Sequence, residues 1–183
     1  MYVQTEETPN PNTLKFLPGK TVSEVGSIEF TAVKQTENRL IKDILSMKEV
    51  NMVFLGSDFI TVKKTDQILW EEIKPKIISL INEYYLENKD SILDKNYLKQ
   101  KTSDEEPSDE VVKKIINVLE EKVKPAVARD GGNIKFKSFE NGLVTVELQG
   151  SCSGCPSSMA TLKQGVQNLL CHYVPEVKRV EAV

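Results

Sequence analysis

Between about Glu87 and Glu110 the chain turns polar, and that interval limits what the remainder can fold into. It contains Asn88-Lys89-Asp90 and the run Thr102-Ser103-Asp104-Glu105-Glu106-Pro107-Ser108-Asp109, and residues 87–110 hold 8 acidic against 4 basic groups. Such a stretch cannot bury enough apolar surface to offset the entropy of ordering itself. Ile92, Leu93, Tyr97 and Leu98 allow at most one short helical turn within it. The expectation is therefore two small α/β (α+β) domains, 1–86 and 109–183, joined by a polar acidic linker over 87–108.

The second domain carries its order in its periodicity. Ser108 or Asp109 is a good N-cap, and Val111, Ile115, Leu119 and Val123 place an apolar face on a helix running toward Arg129. Asp130-Gly131-Gly132 ends that helix. Ile134 and Phe136 alternate with Lys135 and Lys137, Asn141-Gly142 is a hairpin turn, and Val144, Val146 and Leu148 alternate again. A helix over about 157–173 follows, with Met159, Leu162, Val166, Leu169, Leu170 and Tyr173 on one stripe. Val177 to Val183 forms a last strand. The order α-β-β-α-β predicts helices on one face of a mixed three-stranded sheet, with the last strand parallel to the one before the second helix.

In the first domain, strands are expected near 14–16 and 27–31, a helix over about 37–47, a hairpin through 50–55 and 59–63 turning at Gly56-Ser57-Asp58, and a helix over 68–85. It contains no cysteine and no histidine, so it has no ordinary thiolate or imidazole route to a metal. Thr8-Pro9-Asn10-Pro11-Asn12-Thr13 is turn-forming, and orders the entry into the first strand or presents a docking edge.

Chemistry concentrates where strand gives way to helix, at Cys152-Ser153-Gly154-Cys155-Pro156. This holds two of the three cysteines in the chain. Two thiols at this spacing grip a soft metal centre or close a small disulfide ring, but iron–sulfur clusters and structural zinc usually take four donors. Cys171 with His172 formally completes a set of four. Geometry opposes it, because sixteen helical residues at about 1.5 Å each separate Cys155 from Cys171 by roughly 24 Å. Projected on the helix, Cys171 falls opposite the apolar stripe and reads as a surface thiol, while His172 on the flank reads as a partly buried packing residue. A second copy of the chain supplies the missing pair instead: four thiolates around one cluster on a two-fold axis, with loading and dimerisation linked. Ligand count alone is the same for 4Fe-4S, 2Fe-2S and zinc. Gly150 and Gly154 permit tight backbone geometry, Pro156 suits a first helical turn, and the helix N-terminus favours thiolate. With only Tyr173 as a nearby aromatic, the site reads as open.

Composition sets the outer bounds. A net charge of −3 argues against non-specific nucleic-acid binding, and no apolar run approaches membrane-spanning length. Three cysteines do not make a disulfide framework, and the start, with Glu6 and Glu7, shows neither signal nor transit peptide. These features predict a cytoplasmic protein in a reducing compartment.

The segment Leu148-Gln149-Gly150-Ser151-Cys152-Ser153-Gly154-Cys155-Pro156-Ser157-Ser158, preceded by Ala126-Val127-Ala128-Arg129-Asp130-Gly131-Gly132 and followed by Val174-Pro175-Glu176-Val177, resembles the carboxyl-terminal domain of the NifU-like (Nfu) iron–sulfur scaffold proteins. Thr8-Pro9-Asn10-Pro11-Asn12-Thr13-Leu14-Lys15-Phe16 resembles the opening of the amino-terminal domain of the Nfu branch. The resemblance implies that Cys152 and Cys155 bind a 4Fe-4S cluster bridging two protomers. It further implies that the protein carries the cluster to apo-proteins and catalyses no reaction. Partners would be a second copy, apo iron–sulfur clients and upstream assembly factors. One departure is Asn133, where an aspartate is expected after the two glycines; Asp130 then reads as a helix-end and turn residue. The rival is a thioredoxin-like thiol–disulfide oxidoreductase, which shares the strand, Cys-x2-Cys, helix layout. The second domain leaves little chain for the further strands and proline loop of that fold. A local disulfide or a zinc-stabilised contact is the bland alternative.

Overall fold

The structure is a computed structural model and describes residues 3–88, 90–95, 97, 109–153 and 156–183, with the backbone alone for 156–158. The chain divides into two compact units, 1–102 and 103–183.

In the first unit, β1 (Gln4–Glu7), β2 (Thr13–Leu17), β3 (Ile28–Phe30), β4 (Val50–Leu55) and β5 (Ile60–Lys64) form an antiparallel sheet in the order β1-β2-β5-β4-β3. Helices α1 (Arg39–Leu45) and α2 (Trp70–Glu87) contribute Leu40, Ile41, Ile44, Ile73, Ile77 and Ile81 to its core. These meet Phe16, Val53, Leu55, Ile60 and Val62, which alternation along the strands places on one face of the sheet. Strand β1, absent from the sequence expectation, carries Gln, Thr and two Glu, so no apolar alternation announces it; pairing with β2 creates it. Residues 91–93 also belong to this unit, although they lie in the span read as linker. Leu93 N–H donates to Val22 O at 3.1 Å, Glu24 N–H donates to Leu93 O at 2.9 Å, and Ile92 and Leu93 are buried in the first core. Asn38 caps α1, its Oδ1 accepting from Ile41 N–H at 3.3 Å while its Nδ2 donates to Ile92 O at 3.2 Å. Most of the remaining linker span, together with Leu98 and the alternative cap Ser108, lies outside the described residues.

The second unit has the expected α-β-β-α-β order. Helix α3 (Glu110–Val118) is capped by Asp109, whose carboxylate accepts from Val111 N–H at 2.8 Å. A π-helical turn over Leu119–Val123 then leads into α4 (Lys124–Arg129). The buried residues Ile115, Leu119, Val123 and Val127 recur at a strict interval of four, which on a regular α-helix drifts about 40° per step. The wider π turn, with Lys124 N–H bonded to Leu119 O, absorbs that drift and keeps all four on the core. Pro125, which has no N–H to give, follows directly.

Strands β6 (Gly132–Glu140), β7 (Leu143–Gly150) and β8 (Arg179–Ala182) form the sheet β6-β7-β8, antiparallel in the first pair and parallel in the second. A bulge between Phe136 and Ser138 shifts the register, so that Ile134, Phe136 and Phe139 oppose Leu148, Val146 and Val144 on the core side. Asn141 and Gly142 both have positive φ, 51° and 84°, as the tight hairpin turn requires. Helix α5 (Pro156–Tyr173) crosses from β7 to β8, with Val166 and Leu170 buried. Two contacts fix β8: Val180 N–H donates to Gln167 Oε1 at 3.1 Å, and Gly142 O accepts from Lys178 N–H at 2.8 Å and Arg179 N–H at 3.1 Å.

Candidate metal centre

Cys152 sits in the turn that leaves β7, and two backbone segments build its seat. One is the end of β7 with Gly150; the other is the turn Asp130-Gly131-Gly132 between α4 and β6, brought alongside by the pairing of Gly132 with Gly150. Ser151 joins them. Its hydroxyl donates to Asp130 O, and its N–H donates to Gly131 O at 3.2 Å. Ser153 closes the turn from the other side, its Oγ and N–H both donating to Gly150 O, at 2.8 and 3.1 Å.

Gly132 is where the two segments come closest. A Cβ at this position would stand 2.7 Å from Cys152 Sγ and 2.6 Å from Gln149 O, distances no real side chain tolerates. The thiol therefore occupies space that the missing side chain leaves open. Sequence reasoning singled out Gly150 and Gly154 and missed Gly132; the Gly131-Gly132 pair was the available signal, and it reads in sequence only as a helix stop.

Cys152 is 5% exposed and belongs to the edge of the second core, so this one thiol is buried where an open site was expected. Ser151 ties the turn to the Asp130-Gly131 backbone, and the Cys152 side chain beside it packs with the second core. Cys155 and Gly154 lie outside the described residues. Cys171 is half-buried and packs against the second core, contrary to its expected place as a surface thiol. His172 and Tyr173 depart in the opposite sense: both are exposed, with rings edge-on at 4.9 Å. The buried face runs through Val166, Leu170 and the following Val174 at steps of four, so it lies nearer Cys171 and farther from Tyr173 than the expected stripe. Among the described residues, no group of three or more His, Cys, Asp or Glu side chains converges as a metal site requires.

Asn133 and Gln149 pair across β6 and β7 beside the motif, both buried. Gln149 Nε2 donates to Glu147 Oε1 at 2.7 Å, while its Oε1 is buried with no hydrogen-bond partner among the described residues. Lys137 binds the other oxygen of Glu147, and this hydrogen bond holds the Glu147 carboxyl below its ordinary range despite opposing desolvation. Asp130 is the C-cap of α4, in keeping with a helix-end role.

A family model described as a NifU-like domain matches residues 115–181, and one described as scaffold protein Nfu/NifU N terminal matches residues 3–88. Over 185 aligned residues the chain is 45% identical to NifU-like protein 4, mitochondrial, of Arabidopsis thaliana, covering 99% of this chain and 65% of that protein. It is 43% identical to NifU-like protein 5, mitochondrial, of the same plant, over 99% and 67%. It is 40% identical to the NFU1 iron-sulfur cluster scaffold homolog, mitochondrial, of Homo sapiens, over 100% and 72%. The chain thus spans about two thirds of the length of these relatives. Their names overturn the expectation of a cytoplasmic protein, since all three are called mitochondrial. Charge, solubility and thiol count are alike in any reducing aqueous compartment, so they carried no power to separate the two. Among the described residues, no helix is long and apolar enough to cross a membrane.

Proposed function

Because the chain belongs to the NifU-like family of iron–sulfur cluster scaffolds, and has the Nfu amino-terminal domain as well, we propose that Cys152 and Cys155 of two copies hold one 4Fe-4S cluster between them and pass it to apo-proteins. The observation that carries this reading is the seat of Cys152, a buried thiol in space kept clear at Gly132. A thiolate is the soft donor that iron–sulfur clusters take. One chain offers two such donors at the motif, and a symmetric pair offers four.

Delivery exchanges thiolate for thiolate. Each client cysteine that displaces Cys152 or Cys155 gives up its proton, the released cysteine takes one, and no electron moves. The chain itself orients the cluster and shields the empty Cys152 thiol between loads. It acts in the mitochondrion, where its relatives' names place them, and its clients are apo iron–sulfur proteins supplied through upstream assembly factors. The first domain, which has no cysteine or histidine, recruits them.

Anaerobic reconstitution with iron and sulfide tests the reading. The expected product is a coloured dimer with about four irons and four sulfides, bleaching as the cluster moves to an apo-protein. Cys152→Ser or Cys155→Ser abolishes loading, and Cys171→Ser retains it. A full cluster in either single mutant of the pair overturns the four-thiolate dimer. A colourless monomer that cycles a Cys152–Cys155 disulfide moves the protein to redox chemistry.

A further inference from the structure

The Thr8–Thr13 turn and its surroundings in the first unit form a groove that the cluster site does not use. Its volume is about 560 Å³, within the range of ligand clefts. One wall is the edge strand β1, through Thr5 and Glu7; the other is the first turn of α2, through Trp70, Glu71 and Lys74. Pro9 and Pro11 close one end.

Three observations say what fits. First, β1 is the outermost strand, so alternate backbone N–H and C=O groups along it face away from β2, ready to pair with an added strand. Second, the groove is built rigid. Thr8 Oγ1 donates to Asn10 O at 2.9 Å, and Asn10 Oδ1 accepts from Asn12 N–H at 3.0 Å. Trp70 Nε1 donates to Pro11 O at 3.1 Å, which fixes the indole at the groove wall. Third, two carboxylates, Glu7 and Glu71, and one ammonium, Lys74, line the groove, and none of the three takes part in an ion pair among the described residues. The excess of carboxylates among these three favours a cationic side chain, whereas the Trp70 ring is already met by the chain's own Lys64, whose Nζ lies 5.8 Å from its centroid.

We propose that this groove docks an extended peptide segment bearing Lys or Arg at alternate positions, added as a strand along β1. That the segment belongs to an apo-protein client rests on the carrier reading above; the peptide-binding activity does not. Basic side chains reach Glu7 and Glu71, and main-chain hydrogen bonds to β1 supply the affinity.

The chain contains a single tryptophan, so Trp70 emission reports occupancy of the groove directly. The test titrates the full apo chain with fluorescein-free Gly-Arg-Val-Arg-Val-Arg-Gly, its Glu-for-Arg counterpart, and its Pro-for-Val counterpart. The Arg-Val peptide is expected to change Trp70 emission saturably, and the other two to do so at least about tenfold more weakly. Glu7→Lys with Glu71→Lys weakens the Arg-Val peptide by the same factor, with circular dichroism confirming the fold. Equal binding of the proline peptide overturns strand addition. Equal binding of the acidic peptide, binding that survives both charge reversals, or no change in emission overturns the site. No cluster is present in these titrations, so their failure leaves reconstitution untouched, and the converse holds.

Discussion

At the scale of single residues, a glycine and a cysteine share one small volume. Placing a methyl at Gly132 pushes against Cys152 Sγ and against the carbonyl of Gln149 together, and overpacking of this kind typically costs about 1–3 kcal/mol. The Gly132→Ala chain is expected to melt lower, and its Cys152 to react faster with iodoacetamide because the thiol is driven out of its seat. Unchanged melting together with an unchanged alkylation rate would show that the space is not shared. The place of Cys152 between a strand and a helix was legible in the sequence, from alternation ending at Leu148 and the helical stripe that follows. Gly132 was not, because its role depends on which carbonyl and which sulfur the hairpin brings beside it. Cys171 and His172 were misread because the expected stripe centred the face of α5 toward Tyr173, whereas the buried residues Val166, Leu170 and Val174 move that centre toward Cys171.

At the scale of elements, periodicity carried most of the fold. The hairpins and the helices stand where alternation and helical spacing put them, within about two residues at most ends. Strand β1, the π turn and a short 3-10 turn over Val33–Gln35 escaped. Strand β1 has no apolar face to alternate, and the π turn announced itself only through a spacing of four where a regular helix mixes threes and fours. That spacing has a mechanical consequence. Deleting exposed Glu121 changes the series 115, 119, 123, 127 to steps of four, three and four, which a regular α-helix presents on one face. The deletion variant is expected to fold, with circular dichroism and melting temperature close to those of the parent. Deleting Lys114 in α3 instead turns the flanking residues by about 100° relative to one another and should unfold the unit. If both deletions unfold it, the π turn has a role beyond absorbing drift.

At the scale of the whole chain, the polar interval divides two cores, but the boundary lies later than composition suggested. Ile92 and Leu93 are buried in the first core and hydrogen-bonded to 22–24, two apolar residues too few to show above a polar background. A truncation meant to isolate the second unit therefore belongs after Thr102; a cut after Leu86 strips the first unit's partners and leaves them on the fragment. The 103–183 chain is expected to load iron and sulfide like the full chain and to deliver them more slowly to clients. An unchanged transfer rate to every client would remove recruitment from the first domain. The carbonyl of Gly142, which holds the entry to β8, also orders events in time. Strands β6 and β7 meet across a two-residue turn, whereas β8 reaches β7 only after the 18 residues of α5, so closing the parallel pair comes after the hairpin. Val180→Ala should then accelerate unfolding and leave the folding rate nearly unchanged, while Val144→Ala slows folding. Equal slowing of folding by both would place β8 in the nucleus. With β8 joining last, it is also the strand that leaves first, and the lifetime of the folded cluster domain is set at the tip of a hairpin far along the strand from its cysteine.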